Sequence, residues 1–115
     1  KRQDKDHAAD VSRTYEANDR LTLLMREHQA QQYQLIAQYN AAKAIYDRQQ
    51  SEVLPLLRKK VSLVNAQYRG GSSALPELLA ARRDLLNGEI ASNNAEKALA
   101  DAWAAVRYLI PQDVK

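Results

Sequence analysis

Apolar residues recur at threes and fours along most of this chain. Leu35, Tyr39, Ala42, Tyr46, Gln49, Val53, Leu56, Lys60 and Leu63 step by alternating fours and threes. That is the seam spacing of a coiled coil, interrupted at Gln49 and Lys60. A second stripe, Leu54, Leu57, Val61, Val64 and Tyr68, lies on another face of the same helix. Further on, Leu78, Ala81, Leu85, Gly88, Ser92, Ala95, Leu99, Ala102, Val106 and Leu109 form a second seam. Half of its positions are Gly, Ala or Ser, so a facing helix can approach closely. Gly88 costs about 1 kcal/mol relative to Ala inside a helix, and close helix contact is the simplest compensation. Leu79, Leu86, Ile90, Trp103 and Ile110 lie off this seam. Two apolar stripes on each helix predict two neighbours rather than one.

Between the seams stands Tyr68-Arg69-Gly70-Gly71-Ser72-Ser73-Ala74-Leu75-Pro76, holding two of the chain's three glycines. Glycine reaches left-handed backbone angles without steric cost, which suits a helix that must stop and reverse. Pro76 fits the first turn of the next helix, where early N–H groups have no intrahelical partner. The prediction is an all-α fold, a long antiparallel helical hairpin in one domain, with helix over about 4–68, a tip at 69–74 and helix over about 75–110. Pro55 interrupts the first helix and predicts a bend there, and Pro111 stops the second. The helices would span roughly 100 Å and 54 Å. Folded back, the second would reach only to about Tyr33. The overhang carries Leu21, Leu23, Leu24 and Met25, which other parts of a larger protein or other copies would have to cover.

Composition supports long helices. Phe and Cys are absent, the aromatics are six Tyr and one Trp, and Gly and Pro number three each. Such usage favours extended helices over a compact α/β core. No apolar run is long enough to span a membrane as a helix. No signal peptide is visible at Lys1, and the opening inside a polar helical pattern leads us to expect a segment of something larger.

Net charge is +3, and its placement adds more than its size. Between Arg58 and Arg83 the bases are Arg58, Lys59, Lys60, Arg69, Arg82 and Arg83, with Glu77 the one acid. A basic tip can steer toward an acidic partner surface; the alternative is an ordinary solvated face. No nucleic-acid motif accompanies it. His7 and His28 share a face but lie about 30 Å apart on a helix, so they cannot ligate one metal. No catalytic triad, phosphate loop or HExxH motif occurs. The expectation is a protein that is not an enzyme, with no cofactor or metal.

The ordered series Ile45-Tyr46-Asp47-Arg48, Val53-Leu54-Pro55, Ala66-Gln67-Tyr68-Arg69-Gly70-Gly71, Leu75 through Arg83 and Ala102 through Pro111 resembles the C-terminal helical hairpin of TolC-like outer membrane factors. The Ala-Trp-Ala-Ala-Val-Arg-Tyr-Leu-Ile-Pro ending and the Leu-Pro before the tip resemble the heavy-metal branch, of the CzcC and CusC type. Residues 1–44 resemble the upper part of the same helix. The resemblance implies a trimeric efflux duct, anchored in the outer membrane by a β-barrel and extended into the periplasm as an α-barrel. Its partners would be a periplasmic adaptor and, through it, an inner-membrane resistance-nodulation-division pump. This chain would contribute a periplasmic hairpin. Tyr68, Arg69, Gly70, Gly71, Ser72, Leu75 and Leu78 would form the adaptor-docking tip. Tyr68 and Glu77 would be candidates for the aperture, where a ring of carboxylates would attract cations. A first-turn carboxylate favoured by the helix dipole is the other reading of Glu77. Ser73 and Ala80 stand where TolC has an arginine and a second acid, and Pro76 departs from its pattern. Docking therefore transfers better than gating.

Two other readings stay open on the residues: the hairpin of a periplasmic adaptor, and a structural coiled coil that dimerises. An adaptor hairpin would lead back into a β domain. A simple dimer would not need the second apolar stripe.

Overall fold

The structure, a computed structural model, describes residues 2–109. The predicted end of the last helix at Ile110 and its stop at Pro111 lie outside the described residues. All regular structure among the described residues is helical. Helix α1 spans Arg2–Arg48, a five-residue π-turn spans Gln49–Val53, α2 spans Leu54–Arg69 and α3 spans Leu75–Leu109. The chain divides into two units, residues 1–35 and 36–115.

In the first unit none of residues 3–31 is buried or half-buried. Its internal contacts are local. Thr14 Oγ1 donates to the Asp10 carbonyl at 2.9 Å and Thr22 Oγ1 to the Asn18 carbonyl at 2.9 Å, one helical turn back. Arg20 and Glu16 pair at 4.0 Å, both well exposed. Such contacts are worth a few tenths of a kcal/mol each, and long helices in water draw most of their stability from packing. Leu21, Leu23, Leu24 and Met25 are each more than half exposed.

The second unit is an antiparallel hairpin. Tyr39 meets Trp103, Gln50 meets Ser92, and Lys60 meets Asp84, so positions descend one helix as they climb the other. The α3 seam follows the sequence pattern from Leu78 to Val106: Leu78, Ala81, Gly88, Ser92, Ala95 and Val106 are buried, and Leu85, Leu99 and Ala102 half-buried. Its small residues let the helices close up. A Cβ on Gly88 would press on Leu57 Cδ1 and meet Leu54 Cδ2 at 3.5 Å. The missing side chain is thus the socket for two leucines of α2.

On the facing arm of the hairpin the seam departs from expectation. Tyr39, Ala42, Tyr46, Gln49 and Val53 are half-buried as predicted, but Leu56 and Leu63 are 68% and 58% exposed, and Lys60 is exposed too. Leu54, 3% exposed, and half-buried Leu57, Val61 and Val64 take over. The two stripes are therefore successive parts of one seam, joined at the π-turn. There the Leu54 N–H donates to the Gln49 carbonyl, five residues back instead of four. The extra residue rotates α2 by about 100° relative to an uninterrupted α-helix, bringing the second stripe round to α3. Pro55 gives the turn its local reason. It has no N–H for the Ser51 carbonyl, and its ring would crowd that carbonyl in a regular α-turn. The backbone stays in the right-handed helical region on both sides, at φ −72°, ψ −53° for Val53 and φ −62°, ψ −44° for Leu54. Where the bend was predicted the helix carries a widened turn and does not break.

The hairpin's two flanks differ. Leu56, Lys60 and Leu63 share one, beside Asp84, whose Oδ2 lies 3.9 Å from Lys60 Nζ. This pair is too exposed to contribute more than about 0.5 kcal/mol. On the other flank Arg58 lies with Glu89 and Asn93 in one shallow groove. Leu79, Leu86 and Ile90 share a face of α3 turned away from its seam, by helical spacing, and all three are about half exposed. Both α2, at Leu56 and Leu63, and α3, at Leu79, Leu86 and Ile90, therefore keep apolar surface that the hairpin itself does not cover.

Two outcomes are expected from urea unfolding of the chain. Gly88→Ala should lower stability by about 1 kcal/mol through crowding of Leu57, against the gain that helix propensity alone would give, and Leu57→Val in that background should recover part of the loss. Deleting Ser51 together with Pro55→Ala should leave a cooperatively folded hairpin with an unbroken α-helix, because removing one residue puts Leu54, Leu57, Val61 and Val64 on plain seam spacing. A molten or unfolded product would show that the π-turn does not set the register.

Candidate docking tip

The tip is built by the way α2 ends. Gly70 closes the helix at φ −81°, ψ −2°, its N–H donating to the Ala66 carbonyl at 3.0 Å. Gly71 follows at φ 81°, in the left-handed region. Its N–H donates to the Tyr68 carbonyl at 3.1 Å, and the Ser72 N–H donates to the Gln67 carbonyl at 2.8 Å. This pair of bonds is a Schellman motif, which satisfies carbonyls that the helix end would leave open. The Ser73 N–H and the Ser72 hydroxyl also donate to the Gln67 carbonyl, each at 3.2 Å. One backbone oxygen thus gathers three donors.

Helix α3 starts on the Ala74 carbonyl, which accepts from the Glu77 N–H at 3.1 Å. Pro76 takes the second helical position, where its missing N–H costs nothing, as its sequence position predicted. The Ser73 hydroxyl donates to Glu77 Oε2 across this first turn. Sequence reasoning marked Ser73 only as a departure from an arginine; here it anchors the candidate aperture carboxylate. Glu77 is exposed, and so is Tyr68, whose hydroxyl has no hydrogen-bond partner among the described residues.

The structure brings most of the docking candidates to one surface. Tyr68, Arg69, Gly70, Gly71, Ser72 and Leu75 are all exposed around the turn. Leu78 is the exception. It is 5% exposed, buried in the hairpin seam, so it props the tip from beneath and offers nothing to a partner. Gln67 was missed because its contribution is a carbonyl, which no side-chain pattern announces. The short polar pair Ser72-Ser73 after the glycines was the available signal.

Charge around the tip remains basic. Lys60 is paired with Asp84, a residue just outside the basic stretch. Arg58, Lys59, Arg69, Arg82 and Arg83 have no carboxylate within 4.0 Å among the described residues. No group of His, Cys, Asp and Glu that could hold a metal ion occurs among the described residues, and no described helix is long and apolar enough to cross a membrane.

The two glycines should respond differently to substitution. Gly71→Ala should cost about 1–2 kcal/mol for forcing an L-residue into the left-handed region, although a Cβ there meets nothing within 4 Å. Gly70→Ala should be neutral or slightly stabilising, since its angles suit any residue. Thermal unfolding followed by circular dichroism separates the two. No family model, curated protein or solved structure matches this chain.

Proposed function

We propose that this chain is a wall segment of the periplasmic α-barrel of a TolC-like outer-membrane efflux duct, a homotrimer of the heavy-metal branch. The observation that carries the reading is the apolar surface left on both flanks of the hairpin. Leu56 and Leu63 remain on one side, and Leu79, Leu86 and Ile90 on the other. A hairpin that stands alone, or pairs once with a copy of itself, needs at most one such flank. A helix pair set side by side in a closed wall needs both, and the flanks must differ, because contacts around a ring are heterologous. They do differ: one is the outer side of α2, with Leu56 and Leu63, and the other the outer side of α3, with Leu79, Leu86 and Ile90. The ordered resemblance from Ile45 to Pro111 supports the same assignment and adds the partners. These are a periplasmic adaptor at the tip and, through it, an inner-membrane resistance-nodulation-division pump exporting metal cations. The chain itself acts as a passive conduit and is not an enzyme. Tyr68 to Leu75 supply the docking surface by backbone shape and small residues, and their basic surroundings favour an acidic partner.

Gly70 is the cleanest probe of docking, because a side chain there does not strain the turn. In the full-length protein, Gly70→Trp is expected to abolish metal resistance while export to the outer membrane and trimer assembly persist. Normal resistance with Trp at this position would count against the tip as an adaptor contact.

A further inference from the structure

The aromatic groove on the second unit is not used by the docking reading. It lies between α1 and α3 and is lined by Tyr39, Tyr46, Glu96, Leu99, Ala100 and Trp103. Its corners follow from the hairpin register. Tyr39 and Tyr46 are seven residues apart on one helix, and Glu96 and Trp103 seven apart on the other, so each pair is separated by about 10 Å. Tyr39 and Trp103 face each other with ring centroids 5.5 Å apart and planes inclined at 49°. The antiparallel register then sets Tyr46 opposite Glu96. Three π-systems and one carboxylate thus border a single concavity. Leu99 and Ala100 add apolar lining between these corners.

Two features give this groove a preferred occupant. Trp103, the chain's one tryptophan, is 48% exposed there, a large apolar surface for water to cover. Glu96 has no Lys, Arg or His nitrogen within 4.0 Å among the described residues. Glu96 is exposed, and a neutral apolar guest would gain from the rings alone and nothing from the carboxylate. A small anion would be repelled by both. A compact cation with an apolar shell satisfies both at once, because aromatic faces attract cations through the ring quadrupole and the carboxylate adds direct charge attraction. We infer that the groove binds small organic ammonium cations, with Tyr39, Tyr46 and Trp103 as its walls and Glu96 as its counter-ion. The site is independent of the tip and of the docking reading.

Trp103 reports on its own site, since no other tryptophan contributes. Choline is the probe, and dimethylbutanol, its uncharged carbon isostere, the control. Choline should give a saturable change in Trp103 fluorescence and in the indole N–H resonance, with affinity in the millimolar range. The isostere should bind about tenfold more weakly, the difference that charge recognition by aromatic faces supplies. Glu96→Gln should weaken choline severalfold and leave the isostere unchanged, and Tyr46→Leu should weaken choline as well. Helical circular dichroism establishes that both variants remain folded. Equal binding of the two probes would overturn the proposal by showing a merely apolar groove. Absence of saturation, or an unchanged choline affinity in Glu96→Gln, would overturn it equally.

Discussion

The hairpin depends on one close approach, the seating of Leu54 and Leu57 against the bare backbone of Gly88. At that point α3 offers no side chain, and the two leucines fill the space. The flanking seam positions on α3, Leu85, Ser92 and Ala95, fall into line around this contact. For Leu57 to face Gly88 while Tyr46 and Gln49 also face α3, the first arm of the hairpin must absorb one residue more than α-helical spacing allows. The π-turn at Gln49–Val53 absorbs it. Gln50 makes use of the altered geometry, its Nε2 donating to the buried Ser92 hydroxyl at 2.6 Å. Packing, backbone irregularity and the Gln50–Ser92 cross-link therefore answer to a single requirement of register.

That requirement explains what was legible in the sequence. The α3 seam could be read residue by residue from Leu78 to Val106, because nothing disturbs its spacing. The other arm could be read only to Val53. Beyond it the spacing of threes and fours continues without a flaw through Leu56, Lys60 and Leu63, while the structure follows Leu57, Val61 and Val64. Both stripes are real in the sequence, and only the three-dimensional fit to Gly88 chooses between them. Pro55 marked the place of the irregularity but not its form, since a kink, a break and a widened turn all relieve the same clash. At the tip, the Gly-Gly pair announced a reversal. It did not say that Gly71 alone carries the left-handed angle, nor that the Gln67 carbonyl ties the turn together. Leu78 belonged by spacing to the seam and by position to the tip, and burial settles it as seam.

The same register governs what remains available for function. Because the second stripe turns inward, Leu56 and Leu63 are turned outward, and with Leu79, Leu86 and Ile90 they give the hairpin apolar surface on two unlike flanks. The lateral packing proposed for the duct wall rests on that surface, so it is a consequence of the π-turn as much as of composition. The tip stands apart from this logic. Its turn is closed mainly by backbone bonds, which leaves Tyr68, Arg69 and Leu75 outside and their side chains uncommitted.

The register can be measured directly because the chain has no cysteine of its own. Single cysteines at Leu56, Leu57, Leu63 and Val64 can be timed for reaction with a maleimide under native conditions. Fast modification at positions 56 and 63 with slow modification at 57 and 64 is the predicted result. The opposite order would mean that the uninterrupted stripe faces α3, and that the π-turn does not carry the seam across Pro55.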